Sequence, residues 1–326
     1  MRLTRRGWGA LAVVALAYTF AYLSGARALN AVAAPILAAL AAGAILVYRA
    51  DDPTITYGPL RSGYPGQTRT LTVDIDGGGI VTLAQALPAG ARATDLDATV
   101  TPPHTLERTL TFAERGIYRL DAPTVRQRDP LGLVGRRVDV APTLEFVVYP
   151  AVYELDAGHL SKVFGDELAA ERQEFDRLRE YAPGDPLKNV HWKSSAKHDD
   201  FLVMEFSPAQ RTETVHVVAD ATAGNADAMA SAAATLALGA LEAGLGVELT
   251  VPGHRIGSGQ GEAHRENLLR VLAGVGAGTV PDDTHETAAV SIHADERGTR
   301  VRYGGHSERF DDLLGTTGQR AGEVPA

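Results

Sequence analysis

Two uninterrupted apolar runs open the chain, Gly7 to Ser24 and Leu29 to Tyr48. Each comes close to the roughly 20 residues a helix needs to cross a hydrocarbon core, so together they predict a transmembrane helical hairpin over residues 1–50. A cleaved signal peptide is the competing reading of the first run, but the second run comes after a loop too short to begin a mature domain. Beyond Arg49 the pattern changes. From Pro53 to Pro150 short alternating runs, among them Thr68 to Ile75, Thr105 to Phe112 and Leu144 to Tyr149, are separated by Gly, Pro and Asp turns. That period of two predicts an all-β domain over 53–150, a small sandwich.

A third pattern begins at Thr214. An apolar strand to Ala219 ends at Asp220, a long apolar helix covers Ala226 to Ala243, and a second strand covers Val247 to Val251. Strand, helix and strand in that order predict a parallel α/β sheet. A helix from Glu262 to Ala273 and strands at Ala289 to His293 and Thr299 to Tyr303 extend it, and Gly315 to Ala326 is expected to be a disordered tail. The expected fold class is therefore multi-domain: a two-helix transmembrane hairpin, an all-β sandwich, and an α/β domain that occupies 151–314 together with the segment preceding it.

Charge sharpens this picture. The chain has 31 basic and 40 acidic residues, and its first fifty residues hold five of the arginines and no acid, which leaves 26 against 40 in the remainder. Arg2, Arg5 and Arg6 precede the first run, Arg27 alone lies between the runs, and Arg49 comes after the second. The positive-inside rule places both ends of the hairpin, and hence the soluble body, in the cytoplasm. The acidic, lysine-poor body resembles halophilic proteins, whose surface carboxylates keep them soluble in concentrated salt. It argues against nucleic-acid binding. The absence of cysteine excludes disulfides, thiolate metal sites and cysteine nucleophiles.

The chemistry-bearing residues concentrate between Glu174 and Phe206. Three of the chain's four lysines, Lys188, Lys193 and Lys197, lie within ten residues there, while Lys162 is the fourth. Pro183-Gly184 is a turn signal, Asp185 a good N-cap, and Pro186 suits a first helical position. Leu187, Val190, His191 and Ser194 then come at helical spacing, which turns Leu187 and Val190 inward and spreads the lysines over the other faces.

Phe175, Leu178-Arg179-Glu180-Tyr181, Pro183-Gly184-Asp185, His191-Trp192, Ser195-Ala196-Lys197, Leu202-Val203 and Glu205 together resemble the signature of the domain-of-unknown-function 58 family. Where that family commonly carries arginine, this chain has Lys188 and Lys197, which keeps the charge but weakens bidentate recognition of carboxylate or phosphate. The resemblance implies a membrane hairpin and β-domain before the signature and a von Willebrand factor A-like domain after it. It also implies a partner class, the MoxR-type AAA+ ATPases. The expected partner-binding surface comprises Arg179, Glu180, Tyr181 and Asp185, with Lys188, His191, Trp192, Lys193, Ser195 and Lys197. A plainer reading of the same residues has Trp192 and Tyr181 anchoring the segment, Arg179 or Glu180 pairing with a lysine, and Asp185 capping a helix. Both readings can hold together.

In von Willebrand A domains the first strand ends in Asp-x-Ser-x-Ser, which holds a divalent ion. Here that stretch is Asp220-Ala221-Thr222-Ala223-Gly224, so Asp220 and Thr222 survive as a degenerate site and no cofactor beyond a weak divalent cation such as magnesium is expected. The plainer role for Asp220 is to cap the helix or turn after it. Gly257 to Gly261 lacks the Gly-Lys-Ser/Thr ending of a P-loop and reads as a loop. His254, His264, His285 and His293 show no zincin spacing and are expected to be exposed or locally bonded. The expected function is a non-enzymatic membrane-anchored adaptor with no small-molecule substrate. A hydrolase using Asp185, His191 and Ser195, a metal-dependent enzyme using Asp220, and an outward-facing envelope protein are the alternatives.

Overall fold

The computed structural model describes residues 1–25, 27–93, 97–155, 157–172, 177–180, 202–205 and 214–314, with backbone alone at 27, 157, 166–172, 177–180 and 202–205. It divides into two compact units, Met1–Val148 and Tyr149–Ala326. The architecture is multi-domain and α+β, with two apolar helices at the start and several sheets. The expected tail, Gly315 to Ala326, lies outside the described residues.

The first unit opens with a short strand β1 (Arg2–Leu3) and helices α1 (Arg5–Ser24) and α2 (Asn30–Arg49). Thr4 caps α1, its Oγ1 accepting from the Gly7 N–H at 3.1 Å. Gly25 ends the helix in the left-handed conformation at φ 71°, which glycine adopts without a Cβ penalty. Between the helices Val14, Ala17 and Ala33 form the buried contact, with Leu29 and Ile36 packed against it, while Trp8, Leu16, Phe20 and Leu23 stay 55–75% exposed. A soluble helix buries such residues; a bilayer solvates them. Both helices have the length and composition of membrane spans.

Strands β2 (Thr54–Tyr57), β3 (Thr68–Asp76), β4 (Ile80–Ala84), β5 (Ala91–Arg92), β6 (Ala98–Val100) and β7 (His104–Phe112) precede β8 (Gly116–Leu120), β9 (Thr124–Arg128), β10 (Val134–Val138) and β11 (Leu144–Val148). They form sheets in the orders β1-β10-β9-β4-β6, β2-β3-β7-β5 and β11-β8. Every ladder between these strands is antiparallel, as the short connections between them allow. The period-two pattern of β3, with Leu71, Val73 and Ile75 buried, meets Val81, Leu83 and Val125 from the five-stranded sheet in one core. A second cluster joins Phe112, Phe146 and Val148.

The hairpin is seated on this β-module. Strand β1, a feature the apolar pattern does not announce, pairs with β10, and Thr4 donates to the Gly132 carbonyl at 2.5 Å through Oγ1 and to the Leu133 carbonyl at 3.0 Å through its N–H. The β9–β10 turn that receives them is held by Asp129. Its carboxylate is almost wholly buried and accepts from the Leu131 N–H at 2.9 Å and the Val134 N–H at 2.6 Å.

In the second unit α3 (Ala157–Arg172) leads to a two-stranded ribbon of β12 (Arg177–Glu180) and β13 (Leu202–Glu205). Strand β14 (Thr214–Ala221), helix α4 (Ala226–Glu242), strands β15 (Gly246–Val251) and β16 (His254–Gly259), and helices α5 (Gly261–Gly274) and α6 (Asp282–Thr287) come next. Strands β17 (Val290–Asp295), β18 (Gly298–Tyr303) and β19 (His306–Arg309) and the short α7 (Phe310–Leu313) complete it. The sheet runs β16-β15-β14-β17-β18-β19, with β15, β14 and β17 parallel and the outer pairings antiparallel. Three parallel strands buried on both sides require near-continuous apolar sequence, and β14 supplies it with Val215, Val217, Val218 and Ala219 fully buried. The inner face of α4, including Met229, Ala233, Leu236 and Ala240, is equally buried.

One expectation is corrected here. Gly257 and Gly259 lie in β16 rather than in a loop, because the strand pairs along β15 and Arg255 bridges to Glu248 across it at 2.6 Å. Gly261 then starts α5 with φ 80°.

Candidate functional site

Asp220 is the penultimate residue of β14, at the carboxyl end of the central parallel strand, where α/β sheets place their ligand crevices. Its carboxylate is 7% exposed. The parallel register sets His293 of β17 directly opposite, and the His293 Nδ1 lies 2.6 Å from Asp220 Oδ1. From above, the segment after α5 folds back: Ala221 and Gly278 exchange backbone hydrogen bonds at 3.1 and 2.9 Å, and the Val280 N–H donates to Asp220 Oδ2 at 3.4 Å. Helix α6 then brings His285, whose Nε2 is 3.4 Å from the same oxygen.

The proton arrangement is set by the acceptors. A carboxylate oxygen accepts, so His293 donates to it through Nδ1, while the His285 Nε2 stands 3.4 Å from the other oxygen as a close contact rather than a hydrogen bond. On its other side the His285 Nδ1 shares a hydrogen bond with the Ser291 hydroxyl at 2.7 Å. Asp220, His285 and Ser291 thus lie side by side as carboxylate, imidazole and hydroxyl, with His293 hydrogen-bonded to the other carboxylate oxygen. Ser291 is 8% exposed and His285 11%, whereas His293 is 48% exposed. The solvent-facing end of the cluster is the His293 ring.

Thr222, the second residue of the degenerate metal motif, lies at the same sheet edge. Its Oγ1 accepts from the Asn225 amide at 2.9 Å and faces the Ala294 carbonyl at 3.4 Å. The Thr222 hydroxyl and both Asp220 oxygens are therefore engaged within the protein, and the side chains that Asp220 gathers are imidazoles. A hard cation such as magnesium asks for several oxygen ligands in near-octahedral geometry, and this donor set does not fit it. Among the described residues no group of three or more His, Asp or Glu side chains is arranged to hold a metal.

Of the residues expected to bind a partner, Arg179 and Glu180 fall on β12, opposite Val203 and Leu202 of β13. Tyr181, Asp185, Lys188, His191, Trp192, Lys193, Ser195 and Lys197 lie outside the described residues. The cluster around Asp220 draws in His285, Ser291 and His293, whose spacing along the chain is neither helical nor that of a zincin. A usable signal was present for His293, since it ends the apolar run predicted as a further strand of the same sheet. His285 carries none, because it sits on a six-residue helix with no apolar period.

Residues 177–305 match the family model described as "Protein of unknown function DUF58". The matched span contains the β12–β13 ribbon, the whole stretch between its strands, and the Asp220 cluster. Comparison with curated proteins gives no match.

Proposed function

We propose that this chain is a membrane-anchored, non-enzymatic adaptor whose soluble body binds other proteins. One observation carries the reading: two helices with the dimensions of membrane spans are seated, through Thr4 and the Asp129 turn, on a folded β-module, so the soluble body is tied to the bilayer by a structured base. In this reading the β-module is a sandwich, and the second unit is a von Willebrand A-like domain in which the Asp220 histidine cluster replaces the metal. The partner is a MoxR-type AAA+ ATPase or its client, as the family resemblance implies. Arg2, Arg5, Arg6 and Arg49 flank the hairpin on one side and favour a cytoplasmic body. The docking surface is the lysine-bearing stretch between the ribbon strands.

The test is affinity capture of the membrane-extracted chain in native salt, wild type against Lys188→Ala/Lys193→Ala. The adaptor reading expects a AAA+ ATPase with wild type and its loss in a double variant that still melts normally. Capture of no ATPase by folded wild-type protein overturns the partner assignment.

The juxtaposition of Ser291, His285 and Asp220 favours one alternative, a hydrolase. A nucleophilic hydroxyl must reach substrate, and Ser291 lies buried within β17 outside any strand-to-helix elbow. Absence of labelling by a fluorophosphonate probe is therefore expected, and labelling that disappears in Ser291→Ala would establish the enzyme reading instead.

A further inference from the structure

We propose that the membrane-proximal face of the β-module is a binding groove for the headgroup of an anionic phospholipid, with preference for a headgroup bearing two phosphates. The groove, about 980 Å³, lies between β1, the start of α1 and strands β4, β9 and β10. That is at the upper end of the range of about 300–1,000 Å³ typical of small-molecule sites. Arg2, Arg5, Arg126, Arg128, Arg136 and Arg137 line it, with no acidic residue among the lining side chains. In a chain with nine more acidic than basic residues, that segregation of charge is the first sign of an anionic ligand.

Strand register explains how the arginines come together. Arg137 of β10 stands directly opposite Arg126 of β9, and in the next row Arg2, Gly135 and Arg128 are successive partners across β1, β10 and β9. Directly paired residues share a face, so Arg2, Arg126, Arg128 and Arg137 point to the same side of the sheet, away from the buried Val125 and Gln127. Like charges directly opposite each other destabilise a sheet unless something neutralises them. Gly135, lacking a side chain, leaves the middle of this face open.

Only Arg136 has its charge satisfied within the protein, by Asp52 at 2.6 Å, the Ala50 carbonyl at 2.8 Å and Gln127 at 2.6 Å. Among the described residues the other five make no ion pair, and the Arg128 Nε is buried without a hydrogen-bond partner. Guanidinium groups bind phosphate oxygens bidentately, and the amino end of α1, where Arg5 sits, adds the positive end of a helix dipole. Five guanidiniums without an ion-pair partner among the described residues exceed what one phosphodiester requires. Because α1 begins and α2 ends beside the groove, it lies at the level where headgroups sit, provided the hairpin spans a bilayer as in the adaptor reading on which this inference rests.

The test uses the full chain in neutral maltoside micelles at low salt, doped with cardiolipin, phosphatidylglycerol or phosphatidylcholine, and read by retained lipid in native mass spectrometry and by melting temperature. Wild type is expected to retain cardiolipin over phosphatidylglycerol, to exclude phosphatidylcholine, and to melt higher as cardiolipin is added. Arg126→Gln/Arg137→Gln should weaken cardiolipin retention by about tenfold or more, since charge-assisted hydrogen bonds are lost. The same variant, relieved of a like-charge pair, should melt in lipid-free detergent no lower than wild type, which separates lost binding from lost folding. Equal retention of phosphatidylcholine and cardiolipin, or unchanged retention in the variant, overturns the proposal. An equal rise in melting temperature with inorganic pyrophosphate, without lipid retention, assigns the groove to a soluble polyanion and also overturns it. Flotation with phosphatidylcholine vesicles tests the anchor alone: failure to float removes both readings, whereas flotation without headgroup preference removes only this one.

Discussion

The carbonyl oxygen of Leu133 occupies the space that a Cβ on Gly7 would need, so the first turn of α1 lies in direct backbone contact with the β9–β10 turn. On the other helix Gly43 makes the matching approach, where an added Cβ would stand 3.1 Å from Asp129 Cγ. Two glycines, one in each apolar helix, thus let the hairpin close onto one polar turn.

Gly7→Ala should therefore force the helix away from Leu133 and cost about 1–3 kcal/mol, the usual range for overpacking a tight contact. Gly9→Ala is the control, because a Cβ there meets nothing within 4 Å. Thermal unfolding of both variants in detergent should show a loss for Gly7→Ala and none for Gly9→Ala. Equal behaviour would mean that the hairpin is not seated as described.

Asp220→Ala removes the acceptor of the His293 imidazole and of the buried Val280 N–H and should destabilise the second unit by about 1–3 kcal/mol, chiefly through the Val280 N–H left unsatisfied. Magnesium and EDTA should leave the wild-type melting temperature alike. A magnesium-dependent rise that vanishes in Asp220→Ala would instead restore the cation site.

His216 offers a pH test. Burial in β14 and the nearby Arg255 hold its pKa below the ordinary value of 6.5, while Glu248 pulls in the opposite direction. The unfolded chain then takes up the proton more readily than the folded one. The contribution of His216 is complete above pH 6.5 and is lost as the pH falls through that value toward the folded pKa. Between pH 7.5 and 5.5, roughly one unit either side of the free value, wild type should lose more stability than His216→Gln. A parallel decline of the two proteins in denaturant titrations would count against a lowered pKa.

Phe146 is 2% exposed, with its ring centroid 5.7 Å from that of Phe112 and 5.6 Å from that of Tyr118. Phe146→Ala should cost about 3–5 kcal/mol, the range for emptying a buried aromatic site. A cost under about 1 kcal/mol would show that the cluster repacks around the gap.

Because the chain has no cysteine, a single Ser258→Cys on the exposed part of β16 reports topology directly. A cytoplasmic body predicts labelling by a membrane-impermeant maleimide only after the cells are opened. Labelling of intact cells would turn the body outward and favour the envelope reading.

The features legible in the sequence are those whose physics is local. Two apolar runs of membrane length became α1 and α2, the period-two stretch Thr68 to Ile75 became β3, and the apolar run before Asp220 became β14. Each was readable because the pattern of burial repeats within a few residues along the chain. The Asp220 cluster was not, because its members lie 65 to 73 positions apart from Asp220 and are joined only by the parallel pairing of β14 with β17 and by the chain folding back at Gly278. The arginine groove has the same origin: Arg2, Arg126, Arg128 and Arg137 are scattered charges along the sequence until β1 joins β10. Local periodicity determined which segments became helices and strands, whereas strand register, set by long-range pairing and core packing, decided which charges and acids share a face.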